Sequence, residues 1–351
     1  MVLLKKTDVD LFIANSNKII RSNLNNYTDV QVTIPYDVKN ITSLEVSASQ
    51  EYILVSTENK QIVIYDKDFK VIKQFVVNRS PSKACFTPSN DVVVADKTGD
   101  VYLYKLQDED NKPVMLLGHL SVVLDIIISK CGKYIITSDR DEKIRVSHFP
   151  NCYNIVSYCL GHTEFVTKID IIDNILVSAS GDGTIRFWDF MKGKQLALID
   201  TNSYIEEDNL LQNFCEEMNK EKVEIIALPI TDMQLHLDKK LYVAVSIYKY
   251  DYIQLYSVDL SNFNSSLVKT LKVLSPFSFC FENNLFVLSD RLSKYTLVDN
   301  NFVESIEPLF DELYQKYKSL LQFADSNAVA VLYKRKYDNV QEYLERKKQR
   351  L

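Results

Sequence analysis

The sequence predicts an all-β fold, a seven-bladed β-propeller with a helical insertion and C-terminal helices, and three observations carry that prediction. The stretch from Gly161 to Asp189, GHTEFVTKIDIIDNILVSASGDGTIRFWD, joins a Gly-His pair to a terminal Trp-Asp at the length of one WD-repeat blade. Polar turns followed by short apolar strands recur at intervals of about forty residues, the period of such a propeller. A blade buries its faces only against neighbouring blades, so one legible repeat implies a ring of them.

The chemistry of that blade fits its spacing. The imidazole of His162, the hydroxyl of Ser178, the carboxylate of Asp182 and the indole N–H of Trp188 can form one chain of hydrogen bonds, each link contributing about 1 kcal/mol net. Gly181 and Gly183 flank Asp182, where a tight hairpin turn needs positive φ. A structural His162 is therefore preferred to a ligand or a base. A second pair, Gly118-His119, precedes SDRDEKIRVS, which sets Thr137 and Asp141 at the positions of Ser178 and Asp182, with Ser147 in place of the Trp.

The other elements follow in chain order. LFIANSNKIIRSNL reads as two alternating strands joined at Asn15-Ser16-Asn17. The residues equivalent to Trp188 are then Tyr65 in STENKQIVIYD, Tyr104 in ADKTGDVYLY, Tyr256 in KKLYVAVSIYKYDYIQLYSVD and Leu297 in NNLFVLSDRLSKYTLVD. The interval from Trp188 to Tyr256 is too long for one repeat. Its excess falls at about 202–222, where Leu210, Leu211, Phe214 and Met218 have helical spacing, which predicts a helical insertion packed on a neighbouring blade. A helix at about 308–321 begins at Pro308 and carries Leu309, Leu313, Tyr317 and Leu320 on one face. Ring closure predicts that the N-terminal strands share a blade with Ala328 to Lys334. The propeller thus spans 1–334, and 335–351 is a basic C-terminal helix.

Composition bounds the function. Nearly half of the 351 residues are apolar, enough for a large closed core. All seven glycines lie between Gly99 and Gly193, so elsewhere Asn, Asp, Ser and Lys must serve as turn residues. The six cysteines contain no C-x-x-C and stand at no metal spacing with histidine, as expected of reduced thiols in the cytosol or nucleus with no metal site. Lys5, Lys6, Asp8 and Asp10 interrupt the N-terminal apolar stretch, and no run has the length of a membrane span, so a soluble protein is expected. No dinucleotide fingerprint, phosphate loop or nucleophile elbow is present, so neither a catalytic residue nor a cofactor is expected.

Several phrases go beyond a generic repeat. ADKTGDVYLY (95–104), SDRDEKIRVSHFP (138–150), CLGHTEFVTKI (159–169) and YKRKYDNVQEYLERKKQRL (333–351) together resemble the WD-repeat, non-catalytic subunit of the eukaryotic tRNA (guanine-N7)-methyltransferase, the Wuho family. The resemblance runs in matching order from about Leu44 to the C-terminus. It implies a nuclear accessory subunit that forms a heterodimer with the methyltransferase subunit, supplies no catalytic group and helps to place tRNA for methylation of a variable-loop guanosine. The alternative on the same fold is a scaffold or peptide-recognition adaptor in another nuclear complex.

Two surfaces are candidates for those contacts. Arg140, Glu142 and Lys143 in one charged turn, with Glu164, Phe165 and Lys168 in the next blade, form a candidate partner-docking rim, in which Arg140 and Lys168 are the ion-pairing groups. Lys334, Arg335, Lys336, Arg346, Lys347, Lys348 and Arg350 outnumber three acids in the final eighteen residues, a basic tail on an otherwise acidic body, suited to contact with the tRNA backbone. No aromatic platform alternates with these charges, so base-specific reading is not expected.

Overall fold

The computed structural model describes residues 2–26, 28–34, 40–207, 209–274, 277–320 and 329–334. These hold seven antiparallel four-stranded sheets, each a simple meander of consecutive strands. Blade 1 spans residues 2–33, blade 2 41–76, blade 3 81–118, blade 4 123–159, blade 5 166–200, blade 6 230–272 and blade 7 278–305. The first strand of each blade packs against the first strand of the next, so these strands line the centre of a ring. Because every first strand runs the same way, the links between blades and the hairpins between second and third strands all emerge on one side, called the loop face below.

Burial follows from position in the blade. Middle strands such as Tyr52–Thr57 and Ile175–Ser180 are sandwiched between neighbouring sheets and buried almost throughout, and their β-branched residues suit that setting. Outer strands such as Val71–Val76 and Lys194–Asp200 have a solvent side and lose that continuity. The hairpin between second and third strands repeats one backbone conformation. Lys60, Gly99, Glu142 and Gly183 occupy the same place in blades 2 to 5, with φ of 67°, 102°, 68° and 74°. With glycine scarce, Lys60 and Glu142 adopt a left-handed conformation that glycine takes more cheaply.

Side chains tie one blade to the next. Ser138 Oγ of blade 4 donates to Val166 O of blade 5 at 3.1 Å, and Thr167 Oγ1 of blade 5 to Ile230 O of blade 6 at 3.0 Å. Along the central wall, Glu45 of blade 2 accepts from Lys5 of blade 1 at 3.0 Å and from Lys83 of blade 3 at 3.1 Å, while Asp125 of blade 4 lies 3.4 Å from Lys83. Burial pushes the Glu45 carboxyl up, but the two lysines outweigh it and hold it down to about 2.

Three expectations are corrected by this architecture. The N-terminal strands share no blade with residues 329–334, the described part of Ala328 to Lys334: blade 1 draws all four strands from residues 2–33, and Ala330–Leu332 is a short 3-10 helix. In blade 7 the buried position equivalent to Trp188 belongs to Tyr295, paired with Leu285, whereas Leu297 is only half-buried near the strand end. Helix α2, Pro308–Tyr317, buries Leu313 and Tyr317 of the expected face, with Leu309 packed on the same cluster but only partly buried, and the face is wider than expected because Phe310 and Tyr314 are buried too. The insertion contains α1, Leu210–Lys220, whose Phe214 and Met218 are buried in the core of blades 5 and 6.

Closure of the ring therefore rests on packing. The first strand of blade 1, Val2–Lys6, lies against that of blade 7, Ser278–Glu282. Helix α2 seals the outside of this seam: Phe310, Leu313, Tyr314 and Tyr317 form one cluster with Leu11, Ile13 and Ile20 of blade 1 and Phe286, Leu288 and Leu292 of blade 7. Lys316 and Tyr317 both reach Asp29 in the outer strand of blade 1. Phe310→Ala should cost about 3 to 5 kcal/mol, a cavity at a buried aromatic. Urea unfolding measures this, and an unchanged midpoint would remove α2 from any part in closure.

Candidate functional site

The structure brings His162, Ser178, Asp182 and Trp188 together inside blade 5. Trp188 Nε1 donates to Ser178 Oγ at 2.8 Å, Ser178 Oγ lies 2.7 Å from His162 Nε2, and His162 Nδ1 lies 2.9 Å from Asp182 Oδ2. A neutral imidazole protonated at Nδ1 satisfies every link, with Ser178 donating to Nε2. Burial lowers the His162 pKa, which favours that neutral form. Burial raises that of Asp182, but the hydrogen bonds from His162, Thr184 and the Thr163 N–H prevail and hold it down to about 2. All four groups are nearly fully buried and occupied with one another, an arrangement that braces a blade and leaves no base free for chemistry.

Blade 4 builds the network differently from the expected one. His119 Nε2 lies 2.7 Å from Thr137 Oγ1, but its Nδ1 lies 2.9 Å from Asp139 Oδ2, not from Asp141. The cause is the turn. In blade 5, Ser180 Oγ accepts from the Asp182 N–H, which leaves Asp182 to hold the histidine. In blade 4 the residue at the Ser180 position is Asp139, whose Oδ1 accepts from the N–H groups of Asp141 and Lys143 while Oδ2 takes His119. One carboxylate thus does both tasks, and Asp141 is displaced to the rim. Two acids in DRD made the choice ambiguous in sequence.

The rim of blades 4 and 5 is where the expected docking residues meet, yet most of them face the chain itself. Arg140 donates from Nε to Leu332 O at 2.8 Å and from a terminal guanidinium nitrogen to Tyr333 O at 3.0 Å. Glu142 accepts from Lys334 Nζ at 2.6 Å. Phe165 is fully buried and meets the Tyr333 ring edge-on, with centroids 4.9 Å apart. Arg140, Glu142 and Phe165 therefore hold an intramolecular segment and are not a free docking surface. No local pattern reveals this, because the contacts join residues some 190 positions apart.

The other expected docking residues are less enclosed, with Lys168 in the inner first strand of blade 5. Lys143 is exposed, and Lys168 is half-buried beside Asp232 of blade 6 at 3.2 Å. Glu164 is half-buried, and burial, followed by the charge of Glu142, pushes its pKa up to about 7 against the pull of Lys334. Sequence reasoning passed over the apolar residues of this face. Leu120, Leu160, Ile226 and Leu274 stand exposed in four successive links between blades, with Leu120 fully exposed. Exposed apolar side chains gathered on one face mark an interaction surface more often than isolated ones do. Of the basic tail, only Lys334 lies within the described residues; Arg335, Lys336, Arg346, Lys347, Lys348, Arg350 and the expected helix 335–351 lie outside them. The described residues contain no cluster of three or more His, Cys, Asp or Glu side chains that could hold a metal, and no helix long and apolar enough to cross a membrane.

The family model for the tRNA methyltransferase TRM82 WD40 domain matches residues 15–115 and 105–278. The chain belongs to this family. Among curated relatives, the tRNA (guanine-N(7)-)-methyltransferase non-catalytic subunit wuho of Culex quinquefasciatus is 32% identical over 329 residues, covering 89% of this chain and 76% of that protein. The corresponding subunit wdr4 of Danio rerio is 32% identical over 339 residues, 90% of this chain and 78% of that one. Solved structures share the fold alone: the β-propeller domain of Myceliophteria thermophila Cps50 (Swd1) has a TM-score of 0.65 at 13% identity, covering 82% of this chain and 93% of that one. The WD40 repeats of RRP9 give 0.65 at 16%, covering 83% and 90%.

Glu164 offers a test of the rim's electrostatics. Its carboxyl titrates near 7 in the folded chain against 4.5 in the unfolded one, so its burial weakens the fold increasingly from about pH 4.5 to 7 and constantly above. Glu164→Gln should therefore raise stability at pH 8, by about 1 kcal/mol after allowance for partial exposure. The gain should shrink below pH 7 and vanish near 4.5. Urea midpoints of both proteins at pH 5, 7 and 8 check this, and a difference independent of pH contradicts it.

Proposed function

We propose that this TRM82-family propeller is the non-catalytic subunit of a tRNA (guanine-N7)-methyltransferase, forming a nuclear heterodimer in which it holds the catalytic subunit and helps to position tRNA. The observation that carries the reading is the similarity, over about nine-tenths of the chain, to proteins named as such subunits. The fold is consistent with it: the imidazoles of His119 and His162 are each held at both nitrogens by a hydroxyl and a carboxylate of their own blade. The central wall argues against the adaptor reading, since Lys5, Glu45, Lys83 and Asp125 already pair among themselves and offer little to a peptide entering the channel.

The loop face of blades 4 to 6 is the proposed docking surface. Leu120, Leu160 and Ile226 supply exposed apolar area, and Lys168 supplies a charge for an acidic residue of the catalytic subunit. Its present partner, Asp232, is itself about a quarter exposed, so the internal pair is weak and exchangeable. Apolar contact gives such an interface most of its affinity, and the charge gives orientation. Lys334 is engaged by Glu142 and Asp141, so the basic residues that follow it, Arg335 to Arg350, are the proposed contact with the tRNA backbone, where charge neutralisation releases counterions and requires no base reading.

Co-expression with the catalytic subunit should yield an equimolar complex that forms N7-methylguanosine in tRNA, while the propeller alone forms none. Lys168→Glu should weaken the complex about tenfold, about 1.4 kcal/mol, as expected for reversal of a half-buried charge near the edge of an interface. The double variant Lys168→Glu, Asp232→Lys rebuilds the internal pair and should still bind weakly. Calorimetric titration separates these outcomes, and unaltered affinity of both variants would refute Lys168 as a docking residue.

A further inference from the structure

We propose that the loop face of blades 4 and 5 is a socket for the chain's own C-terminal segment, and that this anchor sets where the basic tail leaves the ring. The inference rests on the reading of that tail as an RNA-backbone contact. Its starting point is a separation: α2 lies at the seam of blades 1 and 7, while residues 329–334 lie on blades 4 to 6, away from that seam.

The socket is built for one side chain. Tyr333 is 3% exposed, although it lies in a terminal segment without sheet partners. Its ring meets Phe165 edge-on and sits 6.2 Å from Phe214 of α1, and its hydroxyl donates to Gly181 O at 3.4 Å. Gly181 leaves room for this packing: a Cβ there would stand 2.6 Å from the Phe165 ring, and Phe165 would have to move toward Tyr333 or elsewhere. The helical insertion thus supplies one wall of the socket, and the Gly-Asp-Gly turn of the most regular blade supplies another.

Backbone recognition and charge complete the site. Arg140 spans the carbonyls of Leu332 and Tyr333, two charge-assisted hydrogen bonds that fix direction as well as position. Lys334 then meets Glu142 at 2.6 Å and Asp141 at 3.5 Å. An aromatic side chain in a pocket, an arginine on its backbone and an acidic pair for the next basic residue make up a peptide-binding site occupied in cis. Val331 beside it is exposed. Tethering converts tail–RNA contact from a search by a free basic segment into a local encounter, because the effective concentration of the tail rises with a fixed origin on the same face as the docked enzyme. Tyr333 and Arg140 are accordingly positioning residues. They carry the tail to the RNA and need not touch it.

The test uses the full chain in complex with the catalytic subunit, with a tRNA transcript as probe. Replacing Arg346, Lys347, Lys348 and Arg350 by Gln should weaken tRNA binding at least tenfold and flatten its salt dependence. Tyr333→Ala should weaken tRNA binding at least fivefold while affinity for the catalytic subunit is kept, and Tyr333→Phe should restore it, since the ring carries most of the packing. Arg140→Ala, made on the ring side of the socket, should reproduce the loss without altering the tail. If the tail variant loses affinity and both socket variants keep it, the anchor is wrong and the tail reading stands. If the tail variant binds tRNA like the parent, the RNA reading fails and the anchor's proposed purpose fails with it.

Discussion

A ring of sheets has to meet itself, and that constraint governs the rest of this structure. Each blade can bury both faces only when its two neighbours are in place, so the last contact made supports all the others. Among the described residues, blades 1 and 7 each take all four strands from their own stretch of chain. The seam of blades 1 and 7 closes through the packing of two inner strands and is covered by α2, whose aromatic residues fit against both sheets. Packing is less directional than a ladder of hydrogen bonds, and Lys316 and Tyr317, converging on Asp29, supply the missing direction. Further along the chain, Tyr333 is buried on blades 4 to 6.

Within the closed ring, the buried imidazoles and the central charges among the described residues are occupied with one another. The His162 and His119 networks each bind an imidazole at both nitrogens. On the central wall, Lys5, Glu45, Lys83 and Asp125 alternate in charge from one blade to the next, so desolvation of each is offset by its neighbours. The surface offers exposed leucines and an isoleucine on the loop face, and Lys168 in a partly exposed pair with Asp232. That inventory suits a subunit that holds other molecules and leaves the chemistry to its partner.

The middle of the chain was legible in sequence because its turns and buried polar groups are local. Ser178, Asp182 and Trp188 lie within eleven residues of one another, and His162 stands a fixed distance ahead of them, so spacing alone points to their meeting. Where the network shortens, local reading falters: two acids in Asp139-Arg140-Asp141 compete for one role, and only the hydrogen bonds of the turn choose Asp139. Blade 7 slipped by two residues because Tyr295 and Leu297 both fit an alternating strand, and pairing with Leu285 decides between them. The closure and the rim were the least legible. Asp29 with Tyr317, and Arg140 with Tyr333, join residues far apart in the chain through geometry that no periodicity encodes.

The central claim is that a rigid closed ring offers its loop face around blades 4 to 6 to the catalytic subunit. Amide hydrogen exchange, followed on the free chain and again in the complex, tests it most directly. The claim predicts slow exchange in all seven inner strands in both states, with new protection in the complex at residues 160–168 and 226–233. Fast exchange of the inner strands in the free chain, or new protection confined to the outer strands, would contradict it.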